Sequence, residues 1–311
     1  MKDYIKYVTS VIIWTGSVFL TLLVCNMNFR KNCSKEIIQA KPDVSTAVFG
    51  SSTGECAIND EMLEHYKNFC YSGLRLAIGA DFYKAVIDAN PQFQTIILCF
   101  DRFQFYSHSD KVIQGEKASY YRAFSNHIAY FQLETIRSLS TEMLVKCYIG
   151  ANVMLFSPRK VSFGYRKIIG SKLRQPGFLW NDVYFDKMYK IKKDIPYNAT
   201  IKTHRLNQNA LKSLIAHCHR MNKTVVILST PMYHLDNWFG RKGYEDFLGT
   251  LDKRVLIADY SDFPMPSDDY YGDVIHLNYK GAEYFSKHLK EHGLQAIPVK
   301  EYLKLKKTDS N

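Results

Sequence analysis

The sequence predicts an α/β fold: a three-layer α/β/α sandwich around a mainly parallel, flavodoxin-like sheet, preceded by one N-terminal transmembrane helix. Three observations carry this reading. Apolar runs of strand length recur at 44–49, around 68–71, and at 95–100, 224–229 and 254–258. Longer stretches with helical apolar spacing lie between them, the alternation from which parallel sheets are built. The residues able to do chemistry fall just after these strands, the edge at which open α/β sheets place their sites.

In chain order, the first element is the uncharged run from Val8 to Met27. Twenty residues at helical rise match a bilayer core of about 30 Å. A signal peptide is the rival, but its apolar region is shorter and ends in small residues before a cleavage site. Here the run ends in Val24-Cys25-Asn26-Met27. An uncleaved anchor over 1–28 is expected, then a basic tether over 29–43 that Pro42 keeps out of helix. Lysines and arginine after the run outnumber those before it, which leans toward a cytoplasmic body. Large domains, however, translocate largely regardless of charge.

The main domain is expected over 44–299. Ala47 to Phe49 reads as a buried strand ending at Gly50, followed by Ser51, Ser52, Thr53 and Gly54. Asn59-Asp60-Glu61 has the residues to cap a helix through Leu63 and Tyr66. A strand near 68–71 then runs to Gly73. Leu76, Phe82, Tyr83, Val86 and Ile87 line one face of a helix over 74–90. Thr95 to Phe100 is a strand whose edge carries Asp101 and Arg102.

Residues 104–195 break the alternation. They are rich in Tyr, Phe, Arg and Lys, and read as a helical insertion over the active-site edge. Such aromatics either stack on sugar rings beside cations or pack a core of their own. The alternation resumes with a helix over 203–221 and the strand 224–229, whose edge carries His234. The strand 254–258 follows, then a loop that delivers Asp273 and His276. Asn278 is placed to cap the helix from Tyr279 to His292, and 300–311 is a charged tail expected to fray.

Composition narrows the function classes. The chain has 311 residues, 46% of them hydrophobic, enough for one large core. A net charge of +11 favours acidic partners such as anionic glycans or lipid headgroups. The basic residues form no stripe and no nucleic-acid module occurs, so nucleic acid is not an expected partner. The seven cysteines show no Cys-x-x-Cys spacing, and their odd number leaves at most an incomplete disulfide framework. No glycine-rich phosphate loop, His-x-x-x-His pair or EF-hand occurs, and neither cofactor nor metal is expected.

Two motifs carry the chemistry. Gly50-Ser51-Ser52 puts a small nucleophile after the first strand, though such tripeptides also serve ordinary turns. Asp273-Val-Ile-His276 sets a carboxylate and an imidazole within one turn, where the acid can orient the base. Together they resemble the SGNH (GDSL-type) hydrolase superfamily, and Phe-Gly-Ser-Ser is similar to its membrane-anchored branch linked to cell-wall and polysaccharide modification. The resemblance covers 44–105 and 200–292 loosely and is tight only at these motifs.

It implies Ser52 as nucleophile, His276 as base and Asp273 as orienting acid. It also implies the Ser52 and Gly73 N–H groups as oxyanion donors, although Gly73 reads equally well as a turn glycine. Ser51, Asp101, Arg102 and His234 become substrate-side candidates. The resemblance further implies an extracytoplasmic domain with a glycan substrate, acylated or acceptor, and a polysaccharide-biosynthesis partner in the membrane. The expected function is a serine esterase or O-acyltransferase acting on acyl groups, such as acetyl, of a cell-surface polysaccharide. One departure supports another class: the asparagine that many members carry after the third strand is absent, with Asp101-Arg102 in its place. That favours a catalytically inactive glycan-binding or assembly component.

Overall fold

A computed structural model of the chain describes residues 1–33, 38–74, 76–99, 178–181, 205–233 and 241–308, with five positions between 136 and 145. Most of the expected insertion, together with Asp101, Arg102 and His234, lies outside the described residues.

The first helix, α1 (Lys2–Cys33), contains the uncharged run. Ile12, Ile13, Trp14 and Leu20 are exposed on it. The hydroxyls of Thr9, Thr15 and Thr21 donate back to carbonyls one turn earlier, at 2.8, 2.8 and 2.9 Å. Among the described residues, no helix is long and apolar enough to cross a membrane. The expected spanning helix therefore has no support from the fold. The side chains at 19, 22, 23, 26 and 27 of the same run, and those at 28–33 beyond it, lie outside the described residues.

The domain is mixed α/β, built on a six-stranded sheet in the order β2-β1-β3-β4-β5-β6. These strands are β1 (Thr46–Gly50), β2 (Tyr66–Asn68), β3 (Thr95–Cys99), β4 (Thr224–Ser229), β5 (Leu256–Asp259) and β6 (Ile297–Pro298). The first five pair in parallel in flavodoxin order, and β6 adds an antiparallel edge. Side chains alternate across the sheet, as the two-residue period of a strand requires. Ala47, Phe49, Ile96, Leu98, Val225 and Ile227 enter one core. Val48, Ile97, Cys99, Val226 and Leu228 enter the other.

Helices cover both faces. On the first lie α3 (Leu76–Ala89), α4 (Arg205–Arg220), α5 (Arg241–Leu248) and α7 (Val299–Thr308). On the second lie α2 (Ser52–Ala57) and α6 (Tyr279–His292). The chain enters the sheet from a fixed point: Asn90 accepts from the Ala40 N–H at 2.8 Å and donates to the Ile38 carbonyl at 2.6 Å.

Three expectations are corrected. No helix follows Asn59. Its side chain accepts from the Glu61 N–H at 3.1 Å, which makes a local turn instead of a cap. The helix on that side is α2, which begins at the serine loop itself. The second strand is shorter and earlier than expected, although its pairing persists: Phe69 and Tyr71 donate to the Val48 and Gly50 carbonyls at 2.7 and 3.0 Å. The tail does not fray through residue 308. It forms α7, whose Val299 and Tyr302 are buried and whose Tyr302 hydroxyl donates to Asp259 at 2.7 Å.

Candidate active site

The sheet's topology brings two remote segments to one edge. Ser52 begins α2 one residue after Ser51, which is buried at the N-cap position with its carbonyl accepting from the Glu55 N–H at 3.1 Å. The strand ends at Gly50, which is pressed against its neighbour: a Cβ there would meet the Cys99 Cβ at 2.7 Å. Gly54 is confined in the same way: a Cβ there would lie 2.6 Å from the Cys70 sulfur. Asn68, fully buried, donates to the Gly54 and Ile58 carbonyls at 3.2 and 2.8 Å and so fixes α2 over the strand ends.

His276 and Asp273 arrive on the loop between β5 and α6. Gly272 and Asp273 N–H groups both donate to the His276 carbonyl, at 2.8 and 3.2 Å. The Tyr233 N–H, after β4, donates to the Val274 carbonyl at 3.0 Å. Asn278 caps α6 as its sequence position predicts, accepting from the Gly281 N–H at 3.1 Å. Its amide also holds the Asp269 and Tyr271 carbonyls. The loop is thus tied to the sheet on one side and the helix on the other.

The three side chains form one continuous chain of hydrogen bonds. Ser52 Oγ lies 2.7 Å from His276 Nε2. His276 Nδ1 lies 2.7 and 2.9 Å from the two oxygens of Asp273. Asp273 Oδ1 also accepts the N–H groups of Ile275 and His276, each at 2.9 Å. Burial pushes this carboxyl up, but its bonds to the His276 ring and the two N–H groups outweigh that and hold it below its ordinary value. An ionised Asp273 can only accept, so Nδ1 donates to it, and in the neutral ring Nε2 then presents a lone pair to the serine hydroxyl.

Gly73 sits in a turn closed by the Leu74 N–H on the Tyr71 carbonyl at 3.1 Å, with φ at +77°. That left-handed conformation suits a residue without Cβ. Among the described residues, neither the Gly73 N–H nor the Ser52 N–H has an acceptor.

Two features escaped the reading of the sequence. Glu55, on α2 one turn from Ser52, is only 1% exposed, and Ser72 donates a hydrogen bond to its carboxylate. The i, i+3 spacing from Ser52 was the available signal. Residues 178–181, from the insertion, bridge the two halves of the site. The Leu179 N–H donates to the Glu55 carbonyl at 2.9 Å, and the Asn181 amide to the Leu277 carbonyl at 2.9 Å. Trp180 stacks on Tyr279 with ring centroids 4.5 Å apart and remains 53% exposed.

The cysteines near the site, Cys56, Cys70 and Cys99, are buried thiols. They serve as small core residues, Cys56 on α2 itself and Cys70 and Cys99 against Gly54. Among the described residues, no cluster of His, Cys, Asp or Glu could hold a metal ion.

No protein-family model matches the chain, and no curated protein matches it. Among solved structures, a protein from Streptococcus pneumonia whose description names a platelet activating factor is similar at 12% identity and a TM-score of 0.38. The similarity covers 89% of this chain and 97% of that one. At that level it carries neither fold nor function, and the chemistry rests on the site itself.

Proposed function

We propose that the protein is a serine esterase or O-acyltransferase. The observation that carries the proposal is the unbroken Ser52–His276–Asp273 hydrogen-bonded chain, with the inner bond between residues 224 positions apart in sequence. In this reaction Ser52 Oγ attacks an ester carbonyl while His276 Nε2 takes its proton. Asp273 holds the imidazole's orientation and stabilises the imidazolium that forms. The N–H groups of Ser52 and Gly73 receive the oxyanion, each donor contributing about 3–4 kcal/mol where one has been deleted elsewhere.

Collapse of the tetrahedral species expels the alcohol, which takes the proton from His276 and leaves acyl-Ser52. An incoming hydroxyl then gives its proton to His276 and attacks the acyl carbonyl, and Ser52 leaves with that proton. Water as acceptor releases a carboxylic acid; a sugar hydroxyl yields a new ester.

As substrate we infer an acylated polysaccharide at the cell surface. Support comes from the SGNH-like motifs, the basic surplus of the chain and its aromatic insertion. Membrane attachment through α1, with the domain outside the cytoplasm and a polysaccharide-biosynthesis partner in the membrane, belongs to the same proposal. Its support is the uncharged run in the sequence and the exposed apolar side chains on α1. The test is turnover of p-nitrophenyl acetate, and release of acetate from an O-acetylated polysaccharide, by full-length protein. Ser52→Ala should abolish both and Ser51→Ala should keep most of each. A wild-type protein inert toward both while binding the polysaccharide would instead establish the non-catalytic glycan-binding alternative.

A further inference from the structure

The mechanism above leaves a buried carboxylate unused. Glu55 lies three residues beyond Ser52 on α2, inside the domain, while Ser72 immediately precedes Gly73 and donates its hydroxyl to Glu55. Burying an ionisable group is costly unless its partners are in place, so such a residue is a demanding choice for mere space filling. Its contact joins two structures whose separation matters to the chemistry. One is the helix that starts with the nucleophile. The other is the turn whose left-handed Gly73 presents an N–H lacking an acceptor among the described residues.

The turn is also anchored on the sheet, by the Tyr71 N–H on the Gly50 carbonyl at 3.0 Å. That bond fixes the turn's start. The peptide that carries the Gly73 N–H lies further along the turn. The Ser72–Glu55 bond acts on the residue directly before that peptide.

We propose that Glu55 is a positioning residue: through Ser72 it sets the Gly73 N–H at the distance from Ser52 that an oxyanion needs. The proposal rests on the serine-esterase reading and gives that site its missing support. Donor placement within a few tenths of an ångström decides what an oxyanion hole contributes, because it must meet the oxygen of the transition state and not that of the ground state.

The experiment is steady-state hydrolysis of p-nitrophenyl acetate by the full-length protein and by Ser72→Ala, Ser72→Thr, Glu55→Gln and Glu55→Ala. Inhibition by a trifluoromethyl ketone ester analogue, whose serine adduct carries an oxyanion, is measured alongside. Ser72→Ala should lower kcat about tenfold to a hundredfold, somewhat less than deletion of a donor costs. Its KM should stay within about threefold, since ground-state binding does not use the displaced donor. Ketone affinity should fall in parallel with kcat. Ser72→Thr should restore both, and Glu55→Gln, which keeps an acceptor, should retain more activity than Glu55→Ala.

Wild-type kcat and ketone affinity in Ser72→Ala would overturn the positioning role, and because that variant disturbs packing least, a folding failure of Glu55→Ala does not obscure the outcome. A loss shown as raised KM with unchanged kcat would overturn it too. If the wild type neither hydrolyses the ester nor binds the ketone, the esterase reading fails and takes this role with it. If the wild type is active and only the Ser72 and Glu55 variants match it, this inference alone falls.

Discussion

Asp259 ends strand β5 and Asp273 lies in the loop that follows it; both carboxylates are held below the ordinary value, and they do opposite work. Burial pushes each one up. At Asp259 the Lys306 ammonium and the hydroxyls of Ser261 and Tyr302 outweigh it; at Asp273 the His276 ring and two loop N–H groups do. The side chain of Asp259 is 9% exposed and that of Asp273 46%. Asp259 takes two of its partners from α7, so it staples a terminal helix to the sheet, with Lys306 at 3.2 Å and Tyr302 at 2.7 Å. Asp273 takes its partners from its own loop, within three residues. A carboxylate satisfied across elements is a stability device. One satisfied locally, with its strongest bond spent on an imidazole that reaches a serine, can be lost with little damage to the fold.

The largest expected effect tests that division. Asp273→Asn should lower ester turnover about 10⁴-fold, the cost of removing the orienting acid from a serine triad. Its unfolding free energy should fall by no more than about 1 kcal/mol, since an amide oxygen can still accept from the loop N–H groups. Combined with His276→Ala it should be little worse than His276→Ala alone, because the residues act as a unit. Multiplicative losses would separate their roles.

The reverse pattern belongs to Asp259. Tyr302→Phe and Lys306→Ala should each lower urea stability by about 1–3 kcal/mol, the cost of stripping a partner from a buried polar group, with kcat unchanged. A rate loss in either variant would break the comparison.

The smallest effect concerns pH. A carboxylate with a depressed folded pKa contributes stability that is fully present above its unfolded value, about 3.9 for Asp. That stability disappears as the pH falls through the lower folded value. Asp259→Asn should therefore flatten the acid limb of the stability curve below about pH 4, whereas Asp273→Asn should flatten it less, its site being more open to water. Unfolding midpoints between pH 2 and 7 for the three proteins measure this, and equal flattening would contradict the ranking.

What could be read in advance follows the physics of each segment. The strands at Thr46–Gly50, Thr95–Cys99 and Thr224–Ser229 were legible because a strand buried on both faces is a continuous apolar run. Helix α6 was legible to the residue, since Asn278 caps it and the apolar spacing of Ala282, Phe285 and Leu289 marks its inner face. Helix α2 was not. Ser-Thr-Gly-Glu-Cys-Ala has weak helix propensity, and it is helical because Asn68 and the packing of Gly54 on Cys70 and Cys99 hold it there. Strand β6 is two residues long and ends in proline, too short for any pattern. The helix α7 looked like a charged tail because its anchors, Tyr302 and Lys306, find their partner in a strand more than forty residues away.

At the site, Asp273 and His276 were readable because their spacing is local. Their meeting with Ser52 came only from the motif resemblance, since no periodicity links segments so far apart. For Glu55 the spacing from Ser52 said nothing of burial: a glutamate in a short helix is ordinarily exposed, and only the fold reveals that it is buried against Ser72.

The most direct measurement is covalent labelling of the full-length protein with a fluorophosphonate, followed by mass spectrometry of the labelled peptide. Such a reagent reports a serine that a neighbouring base has activated. The expected result is a single adduct on Ser52, lost in Ser52→Ala, strongly slowed in His276→Ala and Asp273→Asn, and retained in Ser51→Ala. An unlabelled wild-type protein, or an adduct on any other residue, would contradict the assignment of Ser52, His276 and Asp273 as the machinery of an acyl-transfer enzyme.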